Sequence, residues 1–146
     1  MQTPTAAKLL GFAGLAPFFA LALAAAGGDL QARPVALQGL LLYGGVILSF
    51  MGGCRWGFSA AGLGSGPDWA PLGLSVLPAL LAWAALWGAP ALGAQAAAAV
   101  LAAGFVALYL WDVAGARRGE TPAWWPALRF PLTIGATAAL VVGLAL

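Results

Sequence analysis

Five long apolar runs, separated by short segments containing glycine, proline or charged residues, dominate this sequence. They cover residues 9–26, 35–58, 69–87, 91–113 and 127–146. Each run has roughly the 17–25 residues that carry a helix across a hydrocarbon core about 30 Å thick. Backbone polar groups facing lipid must be hydrogen-bonded internally, and the runs do not alternate as barrel strands do. The pattern predicts an all-α integral membrane bundle of five transmembrane helices, forming a single domain over residues 1–146.

The composition supports a membrane protein and excludes several other classes. Of the 146 residues, 63% are hydrophobic and 7% are charged, whereas a soluble domain carries about 25% charged residues. The chain has no histidine, and its one cysteine, Cys54, has no partner for an internal disulfide. The basic residues are scattered, which argues against a nucleic-acid partner. We therefore expect no metal, no cofactor, no catalytic residue and no enzymatic activity.

Lysine and arginine are distributed unevenly between the two ends of the predicted helices. With five crossings, the N-terminus, the second connection and the fourth connection share one side of the membrane. That side carries Lys8, Arg55, Arg117, Arg118 and Arg129, and the other side carries Arg33. The positive-inside rule then predicts a cytoplasmic N-terminus, an external C-terminus and a multi-pass protein of a bacterial cytoplasmic (inner) membrane.

The first apolar run has a second interpretation, as a secretory signal. Lys8 precedes the run, and small residues at 24–27 end it, as at a signal cleavage site. The 18 residues from 9 to 26 exceed the usual hydrophobic core of about 7–15 residues in such signals. The length favours a retained membrane helix, whereas cleavage would leave four helices.

A stripe of small residues follows the second run, where Gly45, Ser49, Gly53 and Gly57 recur every four residues. Small side chains let the backbone of a neighbouring helix approach closely, which is how membrane helices associate. We expect this stripe to pack against another helix within the bundle. A contact between two copies of the chain is the alternative.

Charged residues near the ends of three runs form the candidate site. Arg55 lies near the end of the second run, Asp112 near the end of the fourth, and Arg129 near the start of the fifth. We expect Arg55 to pair with Asp112, with Arg129 as a competing partner, because pairing neutralises groups that are costly to bury. Tyr109 and Trp56 are the neighbouring aromatic candidates. The cluster is either a tie between helix ends or a positively lined pocket for an anionic headgroup or a quinone ring.

The connection over residues 115–126 combines basic residues, prolines and two adjacent tryptophans. Its candidate contact residues are Arg117, Arg118, Trp124 and Trp125. Such a loop either binds lipid headgroups or docks another protein, since tryptophan and arginine are enriched in binding hot spots.

Several motifs resemble one family over nearly the whole chain. Residues 48–58, LSFMGGCRWGF, resemble the core motif of the DUF3429 family, and residues 10–18, 67–69 and 122–133 resemble its other motifs. The resemblance implies a small multi-helix membrane protein of bacteria and mitochondria. It implies no particular reaction.

Two functions follow from these observations. The leading hypothesis is a non-enzymatic accessory, assembly or scaffold protein that contacts the bilayer and binds other integral membrane proteins or a second copy of itself. The alternative is a binder or carrier of a lipid-like small molecule, a quinone or an anionic lipid, in a pocket on the cytoplasmic side.

Overall fold

A computed structural model describes residues 2–145, which contain six helices and no strands. The helices are α1 (Thr5–Ala13), α2 (Leu15–Gly27), α3 (Ala32–Ala60), α4 (Trp69–Leu92), α5 (Ala94–Arg117) and α6 (Trp125–Leu144). Because α1 and α2 form one continuous stretch, the six helices make five segments long and apolar enough to cross a membrane. The predicted all-α bundle of five membrane-length segments is confirmed. The predicted end of the fifth run, Leu146, lies outside the described residues.

Local interactions extend two of the helices beyond the predicted runs. The Asp29 carboxylate accepts hydrogen bonds from the backbone N–H groups of Gln31 (3.0 Å) and Ala32 (2.8 Å), so α3 starts before residue 35. Pro90 does not stop α4, which continues to Leu92. The helix ends at Gly93, whose φ of +93° is a conformation that favours glycine.

The break between α1 and α2 has a specific cause. Pro17 has no backbone N–H and cannot donate to the carbonyl of Ala13, where α1 ends. The Tyr43 hydroxyl of α3 donates to the nearby Gly14 carbonyl at 2.9 Å. A polar side chain of a neighbouring helix thus holds the bend against α3.

Helix α3 occupies the middle of the bundle and contacts α2, α4, α5 and α6. The core between these helices is aromatic and aliphatic, and Phe18 packs edge-on against Tyr43 (4.9 Å between ring centroids) and Phe105 (6.0 Å). Its largest fully buried apolar side chains are Phe18, Leu40, Leu48, Leu101, Phe105 and Leu140. This packing places the C-terminal ends of α3 and α5 and the N-terminal end of α6 together at one end of the bundle.

The predicted small-residue stripe packs inside the bundle at one of its ends but not at the other. Gly45 is buried, and a Cβ there would lie 2.7 Å from Leu86. The hydroxyl of Ser49 donates to the Gly45 carbonyl at 2.9 Å. Gly53 and Gly57 are exposed, and within the described residues no heavy atom lies within 4 Å of a Cβ built on either. The prediction of internal packing is wrong for these two glycines, because a four-residue spacing rotates about 40° per step around a helix.

Helix α3 lies close to the backbone of α4 at Gly52. A Cβ on this glycine would lie 2.7 Å from the backbone oxygen of Ser75 and 3.1 Å from the ring of Pro78. Real Cβ atoms do not approach a backbone oxygen so closely, so the α3–α4 contact requires glycine at this position.

Candidate functional site

Three arginines and two carboxylates meet where α3 and α5 end and α6 begins. We call Arg55, Asp112, Arg118, Glu120 and Arg129 the arginine cluster. Arg55 lies on α3, Asp112 on α5 and Arg129 on α6, and the α5–α6 loop supplies the other two. The three charged residues predicted from the sequence to share one depth therefore lie together.

Asp112 binds Arg129 more closely than it binds Arg55. The Nε of Arg129 donates to Oδ2 of Asp112 at 3.1 Å, and the two side chains are 2% and 1% exposed. The Nε of Arg55 lies 3.9 Å from the other oxygen, Oδ1. The order of the two partners is thus the reverse of the predicted one, because Arg129 donates to Asp112 whereas Arg55 donates to Glu120.

Arg55 has a different hydrogen-bond partner, Glu120. Its Nη2 donates to Oε2 of Glu120 at 2.8 Å, and its guanidinium carbon lies 4.1 Å from the centroid of the Trp111 ring. Gly115 makes room for this arrangement, since a Cβ there would lie 2.5 Å from Nη1 of Arg55 and 3.0 Å from Oε2 of Glu120. Glu120, Trp111 and Gly115 were not among the residues predicted for this site. The sequence did contain one indication for Glu120, because an acidic residue two positions after Arg118 in a basic loop suggests an ion pair.

Glu120 also binds Arg118 within its own loop. Nη2 of Arg118 donates to Oε2 at 3.0 Å, and Nε donates to Oε1. The hydrogen bond from Arg118, followed by that from Arg55, lowers the pKa of Glu120 below its usual value. The carboxylate is therefore charged at neutral pH and held by two guanidinium groups.

A backbone hydrogen bond ties this loop to the α3–α4 loop. The N–H of Gly64 donates to the Gly119 carbonyl at 3.0 Å. A Cβ on Gly64 would lie 2.7 Å from Cγ of Glu120, and the φ of +67° at this position also favours glycine. The two loops are therefore joined next to Glu120.

The arginine cluster carries more positive than negative charge. Its three arginines and two carboxylates leave a formal excess of one positive charge. Among residues 2–145, two donors of the cluster, Nη1 of Arg55 and Nη2 of Arg129, and one acceptor, Oδ1 of Asp112, are buried without a hydrogen-bond partner. The cluster therefore has donor capacity that its own carboxylates do not use.

A cavity of about 230 Å³, lined by both polar and apolar residues, lies beside the cluster. We call it the head-group cavity. The polar and aromatic side chains that line it are Arg55, Ser59, Ser65, Trp111, Arg118 and Glu120. Ser59 donates to the Gly66 carbonyl at 2.7 Å and so fixes the α3–α4 loop at the cavity wall.

An apolar groove of about 640 Å³ runs between α4 and α5. Leu77 and Leu81 line one side of this α4–α5 groove, and Gly104 and Ala107 line the other. Leu74 and Trp111 line both the groove and the head-group cavity. The two spaces are therefore neighbours, and the apolar groove lies next to charged groups.

Comparison with known proteins assigns the chain to a family. Residues 3–145 match the family described as "Protein of unknown function (DUF3429)". The chain belongs to the DUF3429 family. It is 38% identical over 141 residues to transmembrane protein 69 of Xenopus tropicalis, covering 96% of this chain and 54% of that protein. The chain thus spans about half the length of this curated relative, and no solved structure matches it.

Two aromatic residues predicted to join the site lie elsewhere in this DUF3429 protein. Tyr109 packs against Phe130, with 5.9 Å between ring centroids, and both line a groove between α5 and α6. Trp56 is 46% exposed on the surface of α3 and does not line the head-group cavity. Trp111 is the aromatic partner of Arg55 instead.

The predicted contact loop is only partly available to a partner. Arg117 and Arg118 are exposed, and Trp124 is half-buried. Trp125 is buried at the start of α6, where it packs edge-on against Phe58 with 5.0 Å between ring centroids and borders Asp112. The prediction of a partner contact is wrong for Trp125, because this ring packs between helices.

Proposed function

We propose that this protein binds a lipid-like amphiphile, with its polar head in the head-group cavity and its apolar chain in the α4–α5 groove. The observation that carries the proposal is that Leu74 and Trp111 line both spaces. An amphiphile requires an apolar site beside a polar one, and the shared lining of the groove and the cavity supports such a site. The geometry thus favours the small-molecule alternative over the scaffold function.

The dimensions of the groove fit one apolar chain entering from the bilayer. From Leu74 to Leu81 the helix rises about 10 Å, roughly a third of the hydrocarbon core. Leu77 and Leu81 are 53% and 40% exposed, so the groove opens on the surface that faces lipid in a membrane. The part of the chain nearest the head would lie in the groove, and the remainder would extend into the bilayer.

The charges around the cavity support a ligand whose head group accepts hydrogen bonds or is anionic. Arg55 lines the cavity, is 5% exposed and keeps one nitrogen, Nη1, without a hydrogen-bond partner among the described residues. The excess positive charge of the arginine cluster adds attraction for an anion. We propose a binding function rather than catalysis, because arginines, serines and a carboxylate paired with arginine recognise polar groups.

We further propose that the arginine cluster lies at the cytoplasmic face of a bacterial inner membrane. Five of the six basic residues belong to the end of the bundle that holds the cluster, and Arg33 belongs to the other end. This orientation would place the cavity at the headgroup level of the inner leaflet.

An accessory or scaffold function is the second candidate, and it rests on Gly53 and Gly57. Both glycines are exposed on α3, with open space beside them among the described residues. Another membrane helix, from a different protein or a second copy, would pack closely on such a surface. Other membrane proteins in a mild-detergent preparation would support this candidate.

The test measures the lipids that co-purify with the protein. Ala107 and Ala99 are both exposed on α5, but only Ala107 lines the groove. Phenylalanine at position 107 would fill the groove. A lipid that mass spectrometry finds enriched with the purified wild type should therefore be absent from purified Ala107→Phe. Ala99→Phe, the matched control, should retain that lipid. The same lipid content in all three proteins would contradict the proposal.

A further inference from the structure

We infer that Glu120 is an internal competitor for the head group, and that the head group is a carboxylate or phosphate anion that displaces Glu120 from Arg55 and Arg118. This inference rests on the proposed function and names the class of molecule bound. It assigns the anion-binding position to a specific pair of arginines.

The contacts of Glu120 outline an anion site. Oε2 accepts from Nη2 of Arg55 (2.8 Å) and from Nη2 of Arg118 (3.0 Å), while Oε1 accepts from Nε of Arg118. The fork of guanidinium donors is the arrangement that binds carboxylate and phosphate oxygens in proteins. The same donors would therefore bind the carboxylate or phosphate of a lipid.

Glu120 is placed so that it can be displaced, and Asp112 is not. The Glu120 side chain is 26% exposed, lies on a loop and lines the head-group cavity. Asp112 is 1% exposed, lies within α5 and does not line the cavity. Arg118 is 53% exposed, so it can turn toward an entering anion together with the loop.

Arg55 would stay in place when Glu120 leaves. The ring of Trp111, 4.1 Å from its guanidinium carbon, and the backbone of Gly115 hold it from two sides. Asp112 on α5 keeps its hydrogen bond to Arg129 on α6, and its Oδ1 remains 3.9 Å from Nε of Arg55. Departure of Glu120 therefore exposes positive charge at Arg55 and Arg118 to the incoming head group.

The test compares anionic and neutral probes on a Glu120→Gln variant. Glutamine keeps an acceptor oxygen for the arginines but removes the competing charge. We expect oleate and a monoalkyl phosphate to bind about tenfold more tightly to this variant than to the wild type. Methyl oleate, which lacks the charge, should bind the two proteins equally. Asp29→Asn, which removes an exposed carboxylate at the other end of the bundle, should leave every affinity unchanged.

Three outcomes would overturn the inference, and they differ in what they say about the proposed function. Unchanged oleate affinity in Glu120→Gln, with Ala107→Phe still weakening methyl oleate, would refute the competitor and keep the amphiphile site. Acetate or inorganic phosphate binding as tightly as oleate would identify a free anion as the ligand. If no probe with an alkyl chain bound the wild type, or if Ala107→Phe weakened none of them, the proposed function itself would be refuted.

Discussion

Asp112 and Arg129 form an ion pair inside the bundle, with 3.1 Å between Oδ2 and Nε and at most 2% of either side chain exposed. The pair joins α5 to α6 at the end of the bundle where Arg55 meets Glu120. A buried pair of this kind contributes little compared with an apolar pair, but removing one partner leaves an uncompensated charge. It therefore fixes the geometry of the helices on which the head-group cavity depends.

Asp112→Asn should destabilise the protein by about 3 kcal/mol, because it leaves Arg129 buried without a counter-charge. The measurement is the unfolding free energy in mixed detergent micelles. Asp68→Asn is the control, since Asp68 is exposed and asparagine is an equally good helix cap at the start of α4. Equal stability of the two variants would show that the pair does not hold α5 against α6.

Gly52→Leu and Gly53→Leu should differ sharply despite being adjacent. Leucine at 52 would collide with the backbone of Ser75 and should cost about 1–3 kcal/mol or more, whereas leucine at 53 would extend into open space. Thermal unfolding in detergent gives the comparison. A large loss of stability in Gly53→Leu, accompanied by a change in oligomeric state, would show instead that this surface binds a second copy.

The stability of the protein should depend on pH through Glu120. Hydrogen bonds from Arg118 and Arg55 lower the pKa of this carboxyl below its ordinary value of 4.5. Because the pKa is lower in the folded state than in the unfolded state, the charged carboxylate stabilises the fold at any pH above the unfolded-state pKa. This stabilisation is lost as the pH falls through the folded-state pKa. The unfolding temperature of the wild type should therefore fall further on acidification below about 4.5 than that of Glu120→Gln. Parallel curves would contradict the pairing.

The proposed orientation is testable with single cysteines in a Cys54→Ala background. Leu30 is 93% exposed between α2 and α3, and Arg117 is exposed at the opposite end of the bundle. In intact cells a membrane-impermeant maleimide should label Leu30→Cys but not Arg117→Cys. Arg117→Cys should be labelled only after the membrane is permeabilised. The reverse pattern would place the arginine cluster outside the cytoplasm.

Hydropathy and segment length determined most of the fold, because a bilayer imposes the same requirement on every crossing helix. The depth of Arg55, Asp112 and Arg129 followed from their positions along those segments. Their pairing did not, because it depends on how each helix is rotated and on the reach of each side chain. The predicted internal packing of Gly53 and Gly57 was wrong for the same reason, because the spacing of residues does not show which face of a helix contacts a neighbouring helix.

The loop residues of the site were the hardest to predict. Glu120 reaches Arg55 because of the path of the α5–α6 loop, and that path depends on Gly119, whose φ is +72°, and on its hydrogen bond to Gly64. Gly115 gave no sequence signal, because its role is to leave space for a side chain from another helix. Such contacts arise from tertiary packing rather than from local sequence.

Photocrosslinking with a clickable, diazirine-bearing fatty acid in native membranes would locate a bound chain. The expected crosslinks map to the facing surfaces of α4 and α5, between Leu74 and Leu81 and between Gly104 and Trp111, and Ala107→Phe abolishes them while Ala99→Phe does not. Crosslinks spread evenly over all lipid-exposed helix faces, unchanged by Ala107→Phe, would show that the groove holds only ordinary bilayer lipid and would refute the binding function.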